Sequence, residues 1–437
     1  SGLRPGDILI EVDGNKTDGM EIADVSELLK GEPGTKLDIK IRRPYTEELK
    51  EIILTREKIV ISNVSYAGML DEHTGYIRLS NFTTNASAEV RSAFNNLKKN
   101  PNFKNLVLDL RNNPGGLMIE AVRTCNLFIE KGELIVSTKG KVKRWDNDYT
   151  TTNQPLDTDI PIAVLVNRGS ASASEIVAGA MQDLDRAVVI GQRTFGKGLV
   201  QTTRPLKYNA QLKVTTAKYY IPSGRCIQAL DYTHRNEDGS VGSVPDSLIS
   251  EYTTKNGRVV YDGGGIRPDI EVVPENISEI TLRLYAESIF FDYANRYRNM
   301  QDSIAPPALF SLSDREYDNF KEFVIEKDFE YETASMKVFN KLVETAKREK
   351  YYELSKEEFE LMRARLAHDT MKDLNTFREE IQQMLEGEIV VRYYYHEGRI
   401  EQQIEEDSQL QKALSVISKP LQVEDILDSK ENALTSY

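Results

Sequence analysis

The chain has 437 residues, enough for two or three domains and at least one large core. It is 40% hydrophobic and 29% charged, the balance of a globular protein, and no apolar run reaches the ~18–20 residues of a membrane span. A net charge of -13 argues against a nucleic-acid protein, which carries a basic footprint.

Residues 1 to about 60 mix short alternating strands with turn signals. Asp7 to Val12 alternates before an Asp13-Gly14 turn, a helix is expected around Ile22 to Leu29, and Lys36 to Ile41 alternates after Pro33-Gly34. A small β unit with one helix suits a binding module. From about 61 to 274 strands and helices alternate, the pattern of an α/β core. Leu106 to Leu110 reads as a buried strand, followed by the turn Asn112-Asn113-Pro114-Gly115-Gly116. A helix then carries Leu117, Ala121, Val122, Cys125, Phe128 and Ile129 on one side. Ile160 to Val166 is the next strand, and a helix from about Ser174 to Leu184 places Ile176, Val177, Ala180, Met181 and Leu184 on one stripe. Ala187 to Ile190, Leu199 to Thr203 and Leu212 to Tyr220 read as strands. From 275 to 437 the texture turns helical and charge-dense. Glu357 to Leu385 is a long helical pattern, and Val390 to Tyr395 reads as a strand interrupting it.

The two cysteines, Cys125 and Cys226, are too few for a disulfide framework and lack zinc-like spacing. Cys125 falls on the apolar side of its helix and reads as a buried, inert thiol. His73, His234, His368 and His396 are scattered, so neither a metal nor another cofactor is expected.

Three runs carry chemistry. In Gly169-Ser170-Ala171-Ser172-Ala173-Ser174-Glu175 a strand ends and small residues lead into a helix. Helix N-termini offer unpaired N–H groups and a positive dipole end, which favour an oxyanion. The bland reading is that these serines cap the helix. The run Gly191 to Gln201 nearly spells a phosphate loop, but Gly198 stands where a hydroxyl is needed and a strand follows instead of a helix. Its Lys197 needs another role. A lysine acts as a base only when neutral, and burial lowers its pKa from ~10.4. The flanking glycines and Phe195 suit an enclosed stem, and an extended chain would put Lys197, Leu199 and Gln201 on one face. The third run, Asp109 to Gly116, can present a backbone N–H to a carbonyl; alone it is only a strand-to-helix turn.

Together and in this order, the runs resemble the carboxyl-terminal processing (tail-specific) proteases, serine–lysine peptidases with a crotonase-like ββα core. The resemblance covers roughly residues 1 to 274. It implies Ser172 as nucleophile, Lys197 as general base, Gln201 as the residue orienting the lysine, and an oxyanion hole at the N–H groups of Gly116 and Ala173. Asp183 also matches a family position, with a structural role. Residues 1 to about 57 resemble a PDZ module through Gly2-Leu3-Arg4-Pro5-Gly6-Asp7-Ile8-Leu9 and Leu28-Leu29-Lys30-Gly31. Such modules take a chain's C-terminus as an added strand. Their carboxylate cradle normally precedes this motif, so an N-terminally incomplete module is expected, with Arg42 and Arg43 exposed.

The expectation is therefore a PDZ-like module at 1–60, a serine peptidase core at 61–274 and a mainly helical domain at 275–437 that supports oligomerisation or access control. The substrates implied are proteins or peptides with apolar C-termini. A homo-oligomer and an adaptor protein are left open as partners, and the family implies a bacterial periplasm or envelope. Two other readings compete: a catalytically silent PDZ-type adaptor on the same core, and a crotonase relative acting on acyl thioesters. The serine, lysine and glutamine oppose the first, and the PDZ-like start opposes the second.

Overall fold

The computed structural model describes residues 2–428 except 47, 144–145, 236–237, 239, 274–275 and 368, with the backbone alone at 233–235, 243 and 246. His368 and the 274/275 boundary thus lie outside the described residues. The chain divides into two compact units, residues 1–60 with 275–403, and residues 61–274 with 404–437.

In the first unit, β1 (Ile8–Val12), β2 (Asn15–Lys16), α1 (Ile22–Leu29), β3 (Lys36–Arg43) and β4 (Glu48–Thr55) follow one another. The four strands form an antiparallel sheet in the order β2-β1-β3-β4. Alternation along β3 buries Leu37, Ile39 and Ile41 against Val12, as period-2 patterning requires. Arg43 is not exposed as expected. It is 4% accessible and donates to both Asp7 oxygens at 2.8 and 2.9 Å and to Gly2 O. Burial pushes the Asp7 carboxyl up, but Arg43 and the Arg4 N–H hold it below the ordinary value.

The second unit begins with β5 (Val64–Met69), β6 (Thr74–Leu79), α2 (Ala86–Leu97), β7 (Asn105–Asp109), α3 (Met118–Cys125), β8 (Leu134–Gly140) and β9 (Asn147–Thr150). It continues through β10 (Ile162–Val166), α4 (Ala173–Asp183), β11 (Val188–Gly191), β12 (Leu199–Pro205) and β13 (Gln211–Tyr220). Two short hairpins, β14 (Leu230–Arg235) with β15 (Val241–Ser243) and β16 (Glu251–Thr253) with β17 (Val259–Tyr261), precede β18 (Ile270–Glu271). One sheet, β18-β11-β10-β7-β6-β5, is parallel except for the edge pair β5–β6; the other, β12-β13-β8-β9, is antiparallel.

Strands β7, β10 and β11 are buried along their whole length, which explains their continuous apolar runs. Helix α4 was expected to have one apolar stripe, but all eleven of its residues are buried. Its alanines, glycine and serine let it pass through the interior, where a helix has no solvent face. Leu117 lies just outside α3 and is 46% exposed, whereas Ala121, Val122, Cys125, Phe128 and Ile129 are in the core. Burial pushes the Cys125 thiol well up, away from the reactive thiolate.

Helices α5 (Glu279–Ala286), α6 (Ile289–Met300), α7 (Asp314–Glu326), α8 (Ala334–Arg348), α9 (Lys356–Leu366), α10 (Thr370–Thr376) and α11 (Arg378–Gln403) belong to the first unit. The strand expected at Val390 to Tyr395 is part of α11, kinked at Tyr395. Its β-favouring residues are overruled by packing: Ile381, Leu385, Ile389 and Val390 share a core with Phe290, Tyr293 and Phe320. The long helix expected from Glu357 to Leu385 is interrupted where Asp369 caps α10 by accepting the Lys372 N–H at 2.8 Å. Finally α12 (Ser408–Ile417) and α13 (Pro420–Asp428) fold with the second unit, α12 lying against β7, β10 and β11. The helical tail is thus divided between the two units.

Candidate active site

The serine run leaves β10 and enters α4. Ser170 donates its hydroxyl to Leu110 O at 2.8 Å, and Ser174 donates to Asn113 O at 2.9 Å. Both are fully buried, and both tie the turn to the Asp109–Gly116 loop. Ser172 makes neither of these ties and is half-buried. Its backbone sits at φ 57° and ψ -112°, whereas an ordinary N-cap residue is extended. A serine held at positive φ on a strand-to-helix turn is a strained elbow, a conformation that persists only where the surroundings impose it.

Glu175 imposes it. Its carboxylate, buried in the first turn of α4, accepts the Ser172 N–H at 2.8 Å, the Lys197 N–H at 2.8 Å, the Gly196 N–H at 2.7 Å and the Thr194 hydroxyl at 2.6 Å. One oxygen, Oε2, takes both the Ser172 and Lys197 donors. Burial pushes the Glu175 carboxyl up, and the four donors offset part of that rise. Tyr219 adds a second staple, its hydroxyl donating to Ser172 O at 3.3 Å and to Lys197 O. Burial and the Glu175 charge push the Tyr219 phenol well up, so it stays a donor.

The glycine loop closes the other side. Gly115 packs so tightly that a methyl group there would lie 2.8 Å from both Ser172 Cβ and Ala173 N. Gly116 stands at φ 149°, and its added methyl would meet Phe82 O at 2.3 Å. Gly115 N–H donates to Asn113 Oδ1 and Leu117 N–H to Phe82 O. Among the described residues nothing accepts the N–H of Gly116 or of Ala173.

Lys197 is half-buried, and Phe195, expected to enclose its stem, is 56% exposed. No hydrogen bond among the described residues joins the Lys197 amine to the Ser172 hydroxyl or to Gln201. Strand β12 begins only at Leu199, past Lys197, and its bulge with β13 puts the extra residue, Thr216, on β13. Leu199 and Gln201 line one 440 Å³ cavity with Thr215, Cys226, Gln228 and Tyr232. The run after Lys197 is indeed a strand, which removes the phosphate-loop reading. Asp183 accepts the Ser223 N–H at 2.9 Å and pairs with Arg225, itself 1% exposed, at 2.8 Å.

A model of peptidase family S41 matches residues 73–234, a PDZ domain model residues 1–43, and a model described as a probable PDZ-protease C-terminal helical domain residues 280–417. The chain is 35% identical over 237 residues to a chloroplastic C-terminal processing peptidase of Tetradesmus obliquus, covering 51% of this chain and 50% of the relative. It is 38% identical over 236 residues to a carboxy-terminal-processing protease of Bartonella bacilliformis, covering 53% and 54%. A "Probable CtpA-like serine protease" of Staphylococcus aureus (strain N315) is 32% identical over 351 residues, 78% of this chain and 67% of the relative. The chain belongs to the carboxyl-terminal processing proteases of peptidase family S41.

The chain spans about half the length of the first two of these S41 relatives. Three residues that hold the turn around Ser172 were not singled out from the sequence. Glu175 had a readable signal, the Ser-x-x-Glu spacing of a capping box. Thr194 and Tyr219 had none, since only the tertiary fold brings them to Glu175 and Ser172.

Proposed function

We propose that the chain is a serine endopeptidase that cleaves protein substrates near or from their C-terminal tails, with Ser172 as nucleophile and Lys197 as general base. The observation that carries the reading is the strained Ser172 turn packed on the glycine loop, together with the N–H groups of Gly116 and Ala173, which find no acceptor among the described residues. Two such donors would serve as the oxyanion hole of the proposed reaction. Lys197 takes the Ser172 proton as the hydroxyl attacks the scissile carbonyl, then gives that proton to the leaving amine as the C–N bond breaks, leaving an acyl-enzyme and a neutral lysine. Lys197 then activates water to release the acyl group. Glu175 holds the two backbones in register, and the two side chains close on each other when substrate fills the site, as catalytic hydrogen bonds often tighten only in the complex. Gln201 orients the lysine in that closed form. Unfolded proteins with apolar C-termini are the proposed substrates, and the bacterial envelope the proposed location. The PDZ-like module at 1–60 recruits the tail, 61–274 supplies the chemistry, and the helices of 275–403 control access.

The test is cleavage of an unfolded protein bearing an apolar C-terminus. Wild type should cleave it, and Ser172→Ala and Lys197→Ala should not. Equal cleavage by Ser172→Ala, or an inert wild type with an intact fold, defeats the reading.

A further inference from the structure

The Asp109–Gly116 loop that carries the Gly116 N–H is anchored at its base by Arg111. On one side the guanidinium donates to Asp109, with Nε 3.0 Å from each oxygen and a third bond of 2.7 Å. Asp109 is fully buried and also accepts the Tyr76 hydroxyl at 2.6 Å. On the other side Arg111 donates to Asp407 Oδ1 at 2.8 Å, lies 2.6 Å from Asp407 Oδ2, and donates to Gln409 Oε1 at 3.1 Å. These partners are almost three hundred positions away, on the segment that folds back onto the core.

Asp407 has two tasks. It is the N-cap of α12, accepting the N–H groups of Gln409 and Leu410 at 3.1 and 3.0 Å, and it is the second counter-ion of Arg111. Gln409 fixes the geometry further by donating to Val272 O at 2.8 Å. Leu410, Ala413, Val416 and Ile417 are buried, so the cap cannot drift relative to β7 and β10. Beyond Arg111 the loop is braced residue by residue. The Asn112 N–H donates to Asn167 Oδ1, and Asn113 donates to Leu79 O while accepting from Gly115 and Ser174. Burial pushes the Asp109 carboxyl up, but Arg111 holds it below its ordinary value, so the guanidinium faces two carboxylates.

We propose that Asp407 is a positioning residue of the site: by clamping Arg111 it sets the loop that presents the Gly116 N–H, making 404–428 part of the catalytic body. Its catalytic consequence rests on the peptidase reading above; the structural claim does not. Asn and Ser cap helices about as well as Asp, so Asp407→Asn and Asp407→Ser keep α12 while removing the charge from Arg111. Amide exchange over 112–117 should quicken about tenfold in both variants, with exchange along α12 unchanged. On an unfolded protein substrate kcat should fall about 10- to 100-fold with KM within about twofold, the signature of a misplaced transition-state contact.

Unchanged exchange at 112–117 overturns the clamp. Faster exchange with unchanged kcat overturns the positioning role. Faster exchange spread along α12, with kcat and KM moving together, marks a purely structural pair and overturns it as well. An inert wild type would sink the peptidase reading alone; the clamp would then stand or fall on exchange at 112–117.

Discussion

Ser170, Ser172 and Ser174 differ by what their hydroxyls are already doing. Two are committed to carbonyls of the neighbouring loop, and the third is half-buried on a strained turn. Spacing showed an alternating serine run; which serine is spare depends on contacts with Leu110 and Asn113, about sixty residues away. Glu175 is the residue whose loss should be felt most widely. Glu175→Gln replaces one acceptor oxygen by an NH₂, turning it against donors it now satisfies. Each buried group left unpaired costs about 1–3 kcal/mol, so a loss of about 2–4 kcal/mol is expected in urea unfolding, together with near-complete loss of cleavage. Wild-type stability in that variant would mean that the four donors find other acceptors. Gly116→Ala should be as damaging for a different reason. A methyl group 2.3 Å from Phe82 O, at φ 149°, forces the loop to shift, and strain of about 1–3 kcal/mol should accompany an activity loss of about 10²-fold. A Gly116→Ala enzyme with unchanged kcat would contradict the placement of the oxyanion donor.

At the scale of elements, most of the fold was legible where patterning was strong. β3, β7 and β10 lie within about two residues of where alternation or apolar runs put them, because burial dictates those patterns. Besides the helix interrupted at Asp369, two elements differ from their sequence pattern. Val390 to Tyr395 has strand-favouring residues, yet long-range packing against Phe290 and Tyr293 makes it helix. Val390→Pro tests this directly. Inside a helix it should cost about 3 kcal/mol or more and lower the helical circular dichroism signal, whereas in an edge strand it would be tolerated. Helix α4 differs for the opposite reason. Its small residues look amphipathic on a wheel, but the fold covers both faces, and only the tertiary structure supplies that information.

For the whole molecule, the division of the C-terminal tail was invisible in the sequence. Nothing in Gln403 to Ser408 resembles a linker, and the contacts that reveal the return to the core are among the longest-range in the chain. A chain ending at residue 403 would lose Leu410, Val416 and Ile417, besides Ala413, from the core. At about 1.5–3 kcal/mol for each of the three larger side chains, that approaches the ~5–15 kcal/mol by which domains are stable. Such a chain should be insoluble or unfolded at room temperature, and a soluble, cooperatively melting product would contradict the packing of α12. Acid stability should show the same organisation. Asp7 and Asp109 are held below their ordinary values in the folded state. Their contribution is therefore complete above the unfolded carboxylate pKa of ~3.9 and is lost as pH falls through the depressed folded values. Tm should hold from neutral pH down to about 4.5 and fall steeply below it, and Asp7→Asn should flatten part of that fall.

Everything proposed for the site turns on Ser172 as an activated nucleophile with Lys197 as its base. A fluorophosphonate that phosphonylates activated serines, followed by peptide mass spectrometry, tests both assignments in one experiment. A single adduct on Ser172 is predicted, with labelling lost in Lys197→Ala although that variant melts like wild type. Labelling of another serine, or Ser172 labelling that is indifferent to Lys197, would contradict it.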